Sequence, residues 1–296
     1  MSFARPQVAR LPGNRLHLQH GPIDLVIRVE GKRDGVEQAY DQANRRFASV
    51  LEELVGELGM LRALVEPKCC LETPVAQRMW RATVPFAAHG LTPMAAVAGS
   101  VADEIVDAMV LDNECISRAF VNNGGDIAIW NTTSVPFEIA TAVPDDWMPA
   151  NASFPATISV GAEDQVGGVV TSGWRGRSHS LGIADAVTVL ADCAASADAA
   201  ATVIANTVDV EAPSIERCEA RKLDPDSDLG QRLVTVCVGK LTQTERASAL
   251  DQGARFAQHF CTDNTVNAVL MLLQGDCRVV GSLTAVRYDD ALAGVA

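Results

Sequence analysis

Residues 23–61 read IDLVIRVEGKRDGVEQAYDQANRRFASVLEELVGELGML, and this stretch decides the fold class. Apolar and polar residues alternate over residues 23–29, which predicts a strand, and the glycines at 31 and 35 indicate a turn after it. An amphipathic helix that packs on a sheet is then predicted, because apolar residues recur at every third or fourth position. These positions are Val36, Tyr40, Ala43, Phe47, Leu51, Leu54, Leu58 and Leu61.

Short helices and strands interleave irregularly over the rest of the chain. We predict helices at residues 76–82, 94–109, 196–208 and 244–260, and strands at residues 127–130, 137–142, 156–160, 166–171, 183–190, 233–238, 266–273 and 278–286. Residues 213–230 are polar and typical of turns. The irregular spacing favours an α+β fold with mixed or antiparallel sheets over a doubly wound parallel sheet. Because no long linker interrupts it, the chain is expected to form one domain over residues 1–296.

The composition excludes several classes of protein. Hydrophobic residues make up 48% and charged residues 21% of the 296 residues, which is typical of a globular protein. A net charge of −13 argues against a nucleic-acid-binding surface, which requires clustered cations. The chain has no apolar run approaching the roughly 20 residues of a membrane helix, and its first fifteen residues lack the apolar block of a signal peptide. We therefore expect a cytoplasmic protein that does not bind membranes.

The cysteines and histidines form no recognised metal motif. Cys69 and Cys70 are adjacent, whereas the other six cysteines are widely spaced and no C-x-x-C occurs. The thiols are expected to be buried and inert in a reducing compartment. The five histidines also lack the spacing of a zinc site.

The first candidate ligand site is the run Asn122, Asn123, Gly124, Gly125 and Asp126. The glycines allow a ligand to approach the backbone closely, and the amide and carboxylate side chains can bind ring edges or hydroxyl groups. The alternative is a tight turn beside a strand, for which Asn-Gly is a strong signal.

The second candidate is the loop of residues 171–180, which is rich in hydrogen-bond donors. Arginine suits bidentate binding of an anionic group, and small residues present backbone N–H groups to it. The loop is not a Walker motif, and the alternative is an ordinary solvated loop. The residues predicted to bind the ligand are Thr171, Ser172, Gly173, Arg175, Arg177 and Ser178.

Acidic residues suggest a metal site and a general base. Asp198 and Thr202 lie at positions i and i+4 of a predicted helix, so both face one side and can share Mg²⁺. Alternatively, Asp198 only favours the positive end of that helix. Asp185 lies in an apolar strand, where a carboxylate must be paired, protonated or ligating. It is one candidate catalytic base, and His179 is the other, although a histidine in a loop is more often not catalytic.

Taken in order, these segments resemble the ApbE superfamily, which is named for flavin transferases that move FMN from FAD onto a protein threonine. The resemblance runs from residues 94–99 and Asp103, through residues 122–126 and 171–173, to residues 185–189 and 197–202. It is closer to an uncharacterised ApbE-like family than to the transferases. The transferases have one segment that contains a lysine and another that contains a His-x-x-Asp-Pro sequence. The corresponding segments of this chain, residues 95–100 and 179–182, have different sequences.

The resemblance implies an ApbE-like α+β fold of two lobes, about residues 1–130 and 131–296, flanking a cleft. It also implies that Asp198 and Thr202 bind Mg²⁺ against a pyrophosphate, and that residues 123–126 lie near the nucleotide. The leading hypothesis is a protein that binds a small anionic ligand such as FAD or FMN, with Mg²⁺-dependent group transfer or pyrophosphate cleavage as its reaction class.

Two other functions stay open. One is a flavin-independent enzyme that acts on a small carboxylate or cyclic amide, with Asp185 or His179 as the base. The other is a non-catalytic accessory protein in sulfur-amino-acid or cofactor assembly. Whether the protein is an enzyme is therefore undecided at this point. A homo-oligomer, such as a homodimer, is expected as well.

Overall fold

The computed structural model describes residues 5–140, 156–176, 178–281 and 286–288. The chain forms two units, each assembled from separate stretches of sequence. The first comprises Met1–Ser134, Gln165–Val170 and Ala191–Ala199, and the second comprises Val135–Asp164, Thr171–Leu190 and Ala200–Ala296. Helices and strands interleave along the chain, which confirms the predicted α+β fold class. None of the helices within the described residues is long and apolar enough to cross a membrane.

Antiparallel strands form the sheet of the first unit. Numbered along the chain, they are β1 (Gln7–Leu11), β2 (Arg15–His20), β3 (Ile23–Gly31), β4 (Ile116–Asn123), β5 (Asp126–Asn131) and β8 (Gly168–Ser172). They are hydrogen-bonded in the order β1-β2-β3-β4-β5-β8. Leu18 lies opposite Leu25, and Ile27 lies opposite Val121. All four side chains are buried, so the apolar alternation of these strands builds one face of the core.

Among the described residues, the α-helices that lie wholly in the first unit are α1 (Arg33–Gly56), α2 (Leu58–Leu61), α3 (Pro74–Thr83) and α4 (Val97–Val110). The apolar stripe of α1 is buried as predicted, and α1 packs against β2, β3 and α4. The predicted helix does not run unbroken to Leu61. It ends at Gly56, a residue with low helix propensity, and Glu57 separates it from α2.

The predicted helix at residues 94–109 also has two parts. Pro93–Ala96 forms a 3-10 turn, and the α-helix begins only at Val97. A further 3-10 helix, Val84–His89, precedes this region and ends at Gly90, which has a left-handed conformation with a φ of 69°. The start of α4 therefore lies three residues later than the sequence suggests.

In the described part of the second unit, the strands form three groups. The first has the order β14-β7-β6 and consists of β6 (Phe137–Ala140), β7 (Ala156–Val160) and β14 (Val286–Tyr288). The second has the order β9-β12-β13 and consists of β9 (Ala186–Ala191), β12 (Ala268–Leu273) and β13 (Asp276–Gly281), and the third is the pair β10 (Ile215–Glu219) and β11 (Leu233–Val238). Each of these pairings is antiparallel. This agrees with the prediction of mixed or antiparallel sheets.

The remaining helices are α5 (Ala194–Thr207), α6 (Ala220–Leu223) and α7 (Gln243–Thr262), with α5 beginning in the first unit and continuing into the second. A capping box starts α7, because the Thr242 hydroxyl accepts from the Glu245 N–H and the Glu245 carboxylate accepts from the Thr242 N–H. Gly253 lets α7 pack closely, since a Cβ atom there would lie 2.4 Å from Val208 Cγ2.

Several predicted bounds need correction. The strand expected from residue 183 begins at Ala186, and the one expected from residue 166 begins at Gly168. The segment 213–230, predicted to contain only turns, includes β10 and α6. Residues 278–281 of the strand predicted at 278–286 belong to β13 and Val286 belongs to β14, whereas residues 282–285 lie outside the described part of the chain, as do residues 141–142 of another predicted strand.

Candidate functional site

Two helices of the first unit each supply a carboxylate that caps the other helix. Asp103 of α4 accepts hydrogen bonds from the N–H groups of Ala194 and Ala195, at 2.9 and 2.8 Å. Asp198 of α5 accepts one from the N–H of Gly99, at 2.9 Å. First-turn N–H groups have no partner within their own helix, and a negative charge is favourable at that end. Asp103 therefore caps the start of α5, and Asp198 caps the start of α4.

Gly99 is required by how closely these two helices approach. A Cβ atom at this position would lie 2.2 Å from the carbonyl oxygen of Ala194 and 2.9 Å from the N atom of Ala195. Real Cβ atoms do not come so close to backbone atoms, so any side chain at residue 99 would separate the two helices. The reciprocal capping depends on this contact.

Burial changes the protonation of both carboxylates. Asp103 is 6% exposed, and burial raises its pKa to about 6, although the N–H groups of Ala195 and Ala194 act in the opposite direction. For Asp198, burial and then the negative charge of Asp126 raise the pKa well above its usual range. The hydrogen bonds from Gly99 and Ala98 offset this only in part. The negative charge of Asp126 thus opposes ionisation of Asp198, and both residues belong to the first unit.

The run from Asn122 to Asp126 connects β4 to β5. Asn123 pairs with Asp126 across the turn, and Gly124 and Gly125 have φ values of 69° and 118°, which favour glycine. The side-chain oxygen of Asn122 accepts from the Gly125 N–H at 2.8 Å. The tight turn that the sequence offered as an alternative is therefore present. Its two glycines are exposed, which leaves their backbone open to a ligand.

The turn is also joined to the start of α4. The amide nitrogen of Asn123 donates to the carbonyl oxygen of Ala98 at 3.1 Å, one residue before the Gly99 N–H that Asp198 binds. Asn123 is only 9% exposed. The first turn of α4 therefore holds both the candidate ligand-binding turn and the candidate metal-binding aspartate.

These residues suit a hard divalent cation. The carboxylates of Asp126 and Asp198 and the side-chain oxygen of Asn123 are the oxygen donors that Mg²⁺ prefers, and Mg²⁺ typically uses one or two carboxylates with water and phosphate completing the shell. Within the described ranges, no group of three His, Cys, Asp or Glu side chains could hold a metal. Thr202 lies four residues after Asp198 on α5, in the second unit, and its role as a metal ligand stays a prediction.

A second cluster, in the second unit, surrounds Asp185. One carboxylate oxygen accepts from the Trp174 indole N–H at 3.2 Å and from Arg175 Nε at 3.1 Å, and the other accepts from the Gln274 N–H at 2.6 Å. Burial raises the pKa of Asp185 to about 6, against the opposing effects of the Gln274 hydrogen bond and the Arg175 charge. The sequence predicted that this carboxylate is paired, protonated or ligating, and the contacts with Arg175 and Trp174 show that it is paired.

Asp185 also fixes the predicted anion-binding loop. The Arg175 guanidinium lies 4.9 Å from the centre of the Trp174 ring, a cation–π distance. A Cβ atom at Gly173 would lie 2.5 Å from the Asp185 carbonyl oxygen, so glycine permits this approach. Arg175 is exposed, and its role in binding an anion stays a prediction.

The other predicted residues of this loop are distributed as follows. The Thr171 hydroxyl lies 2.8 Å from the Thr188 hydroxyl. Ser172 and His179 are half-buried and Ser178 is exposed, whereas Arg177 lies outside the described residues. For these residues, binding and catalysis remain predictions.

Sequence reasoning did not assign a site role to Asp103, Ser100, Trp174 or Gln274. A signal existed for Asp103, because Ala-Asp occurs in the apolar helix segments at 102–103 and again at 197–198. Ser100 is fully buried, and its hydroxyl has no hydrogen-bond partner within the described part of the chain. Nothing in the sequence indicates that it is unpartnered.

Comparison with known families identifies the chain. A family model described as AbpE bacteria matches residues 8–279. The protein belongs to this family. It is 37% identical over 219 residues to a UPF0280 protein of Methanopyrus kandleri, covering 73% of this chain and 82% of the relative. A UPF0280 protein of Methanosarcina acetivorans is 34% identical over 184 residues, which are 60% of this chain and 67% of that one.

Solved structures similar to this AbpE-family protein include two named for ApbE. The apo flavinyl transferase ApbE of Pseudomonas stutzeri has 13% identity and a TM-score of 0.45, with both chains fully covered. The ApbE protein of Thermotoga maritima has 12% identity and a TM-score of 0.41, covering 95% of this chain and 98% of that one. The family model and the UPF0280 relatives confirm the predicted membership of an ApbE-like family distinct from the transferases.

Proposed function

We propose that this AbpE-family protein binds Mg²⁺ through Asp126 and Asp198, and that the cation holds a small phosphate-bearing ligand of the flavin or nucleotide type. One observation carries the proposal: the first turn of α4 binds both the buried Asp198 and Asn123 of the turn that carries Asp126, and the negative charge of Asp126 acts on Asp198. Like charges in a buried site are unfavourable unless a proton or a cation compensates for them. A divalent cation would do so without protonating either group.

The surrounding contacts support a prearranged site. Asp103 fixes the start of α5, from which Asp198 projects, while Asn123 fixes the β4–β5 turn that carries Asp126. The helix and the turn that carry these two carboxylates are thus held by hydrogen bonds that do not require a ligand. Such prior ordering reduces the entropy lost when a cation binds.

When bound, the cation would neutralise the phosphate and polarise its phosphorus as a Lewis acid. The exposed Gly124 and Gly125 allow the ligand to approach the backbone of the turn closely. Group transfer or pyrophosphate cleavage is the reaction class that these groups support.

Isothermal titration with FAD, FMN and ADP, each with and without Mg²⁺, tests the proposal. We expect at least one of these ligands to bind only when Mg²⁺ is present, and Asp126→Asn to weaken binding about tenfold or more. Asp192→Asn is the matched control, because Asp192 is an exposed aspartate beside α5, and it should bind as the wild type does. Binding that is equal with and without Mg²⁺, or the absence of any binding, would contradict the proposal.

A second candidate function has its own supporting observation. Burial raises the pKa of Asp185 to about 6, close to the range in which a general base is effective, and Arg175 beside it could hold a substrate carboxylate. This would be the flavin-independent enzyme acting on a small carboxylate or cyclic amide. Activity on such a substrate that persists in EDTA and is lost in Asp185→Asn would distinguish it from the Mg²⁺-dependent function.

A further inference from the structure

Two adjacent cysteines lie outside the candidate site. Cys69 and Cys70 occupy the segment between the end of α2 at Leu61 and the start of α3 at Pro74. Cys70 is exposed and Cys69 is half-buried, and both are free thiols. The Cys69 sulfur atom lies 3.8 Å from the carbonyl oxygen of Leu71, and the Cys70 sulfur atom lies 4.0 Å from that of Lys68. An S–H group is a weak donor, so these contacts restrain the thiols only slightly.

The other cysteines provide a contrast. Burial raises the pKa of Cys193 and of Cys261 to about 11, and it also raises the pKa of Cys277, which suppresses the reactive thiolate. Cys237 is exposed but stands alone on β11. Cys69 and Cys70 therefore combine access to solvent with a second thiol on the neighbouring residue.

We propose that Cys69 and Cys70 form a dithiol that a small-molecule disulfide oxidises reversibly to a disulfide between the two residues. The exposed Cys70 thiolate attacks one sulfur atom of the small disulfide and releases its other half as a thiol. The Cys69 thiolate then attacks the Cys70 sulfur of this mixed disulfide and releases the second half. Two protein thiols are oxidised, one small disulfide is reduced to two thiols, and the two cysteine protons pass to the released thiols.

Geometry makes this oxidation reversible. Consecutive Cα atoms are about 3.8 Å apart, whereas the Cα atoms of ordinary disulfides are about 4.4–6.8 Å apart. A disulfide between neighbours is therefore strained, and strained, exposed disulfides are reduced more readily than structural ones. The pair suits a redox-responsive site rather than a permanent crosslink.

The segment that would change is anchored on both sides. Before the cysteines, the Trp80 indole N–H donates to the Glu66 carbonyl oxygen at 2.8 Å. After them, the Glu57 carboxylate accepts from the N–H groups of Glu72 and Thr73, at 2.7 and 2.9 Å, and from the Thr73 hydroxyl. Ring closure must alter the backbone between these anchors, and it should weaken the Glu57 contacts where α3 begins.

Incubation of the reduced full-length protein with oxidised glutathione, followed by peptide mass spectrometry, tests the proposal. We expect the peptide containing residues 69 and 70 to lose two hydrogen atoms without retaining glutathione, and dithiothreitol to restore it. Cys69→Ser should instead retain one glutathione on Cys70, because the second displacement cannot occur. Cys237→Ser is the matched control at an exposed single cysteine, and its 69–70 peptide should behave like that of the wild type.

Two results would overturn the proposal. The first is a wild-type protein that retains glutathione on Cys70 as fully as Cys69→Ser does. The second is a wild-type 69–70 peptide that stays reduced while Cys237 becomes glutathionylated. Thermal unfolding gives an independent measure: oxidation should lower the melting temperature of the wild type, and an unchanged value would contradict the coupling to the Glu57 contacts.

Discussion

Asp103 of α4 and Asp198 of α5 each cap the start of the helix that carries the other. Asp103 lies four residues after Gly99, whose N–H binds Asp198, and Asp198 lies four residues after Ala194, whose N–H binds Asp103. This reciprocity fixes the relation between α4 and α5 within the first unit. It also gives the aspartates of the two Ala-Asp pairs, at residues 102–103 and 197–198, the same structural role.

Asp103→Asn should change how stability depends on pH. The pKa of Asp103 is raised to about 6 in the folded protein, whereas an aspartate in an unfolded chain titrates near 4. The stabilisation from its protonation is therefore complete below about pH 4 and is lost as pH rises through 6. From pH 4 to pH 7, the contribution of Asp103 to the unfolding free energy should fall by about 2 kcal/mol, a term that Asn cannot supply.

Urea denaturation of the wild type and Asp103→Asn at a series of pH values measures this difference. The exposed Asp192→Asn serves as the control, and its difference from the wild type should stay nearly constant. An Asp103→Asn difference that does not vary between pH 4 and pH 7 would show that Asp103 titrates normally.

Gly99→Ala should destabilise the protein by about 2–3 kcal/mol, because the new methyl group would meet the Ala194 carbonyl oxygen at 2.2 Å. Gly59→Ala in α2 is the matched control, since a Cβ atom there meets nothing within 4 Å. It should be neutral or slightly stabilising, because alanine favours helix. Equal free energies of unfolding for the two variants would argue against the close contact between α4 and α5.

Ser100→Ala should stabilise the protein in the absence of ligand. The Ser100 hydroxyl is fully buried and has no hydrogen-bond partner within the described residues, and such a group costs roughly 1–3 kcal/mol. Alanine has nearly the same volume and removes that cost. Chemical denaturation should therefore show a higher free energy of unfolding, and a loss of stability would indicate a hydrogen bond to Ser100.

Tryptophan fluorescence should report the titration of Asp185. Its carboxylate accepts from the Trp174 indole, and its pKa is raised to about 6, so the emission of Trp174 should change around that pH. The chain has four tryptophans, and Trp174→Phe identifies the contribution of this one. Asp185→Asn should abolish the transition. A transition near pH 6 that survives in both variants would come from another group.

The local patterns of the sequence predicted most elements of the fold. Period-2 alternation predicted β3, and a stripe with helical spacing predicted α1, because each buries one continuous face. By contrast, β1 was missed. Almost all of its residues are exposed, so its sequence does not alternate regularly between apolar and polar residues. β10 was missed for a similar reason: its half-buried, polar residues resemble those of the turns around it.

The candidate site was predicted only in part. Asp198, Asp185 and the turn of residues 122–126 could be singled out, because carboxylates in apolar segments and paired glycines are unusual. The partners could not be predicted. Asp103 and Ala194 are 91 residues apart, and no local pattern indicates which N–H groups a buried carboxylate will bind. The effect of Asp126 on Asp198 likewise depends on tertiary packing.

Titration of the wild type with Mn²⁺, followed by electron paramagnetic resonance of the free ion, measures whether Asp126 and Asp198 hold a divalent cation. We expect one bound Mn²⁺ that Mg²⁺ displaces, with binding lost in Asp198→Asn, strongly weakened in Asp126→Asn and retained in Asp192→Asn. If the wild type leaves all Mn²⁺ free, or if Asp126→Asn and Asp198→Asn bind it as tightly as the wild type does, these two carboxylates do not form a cation site.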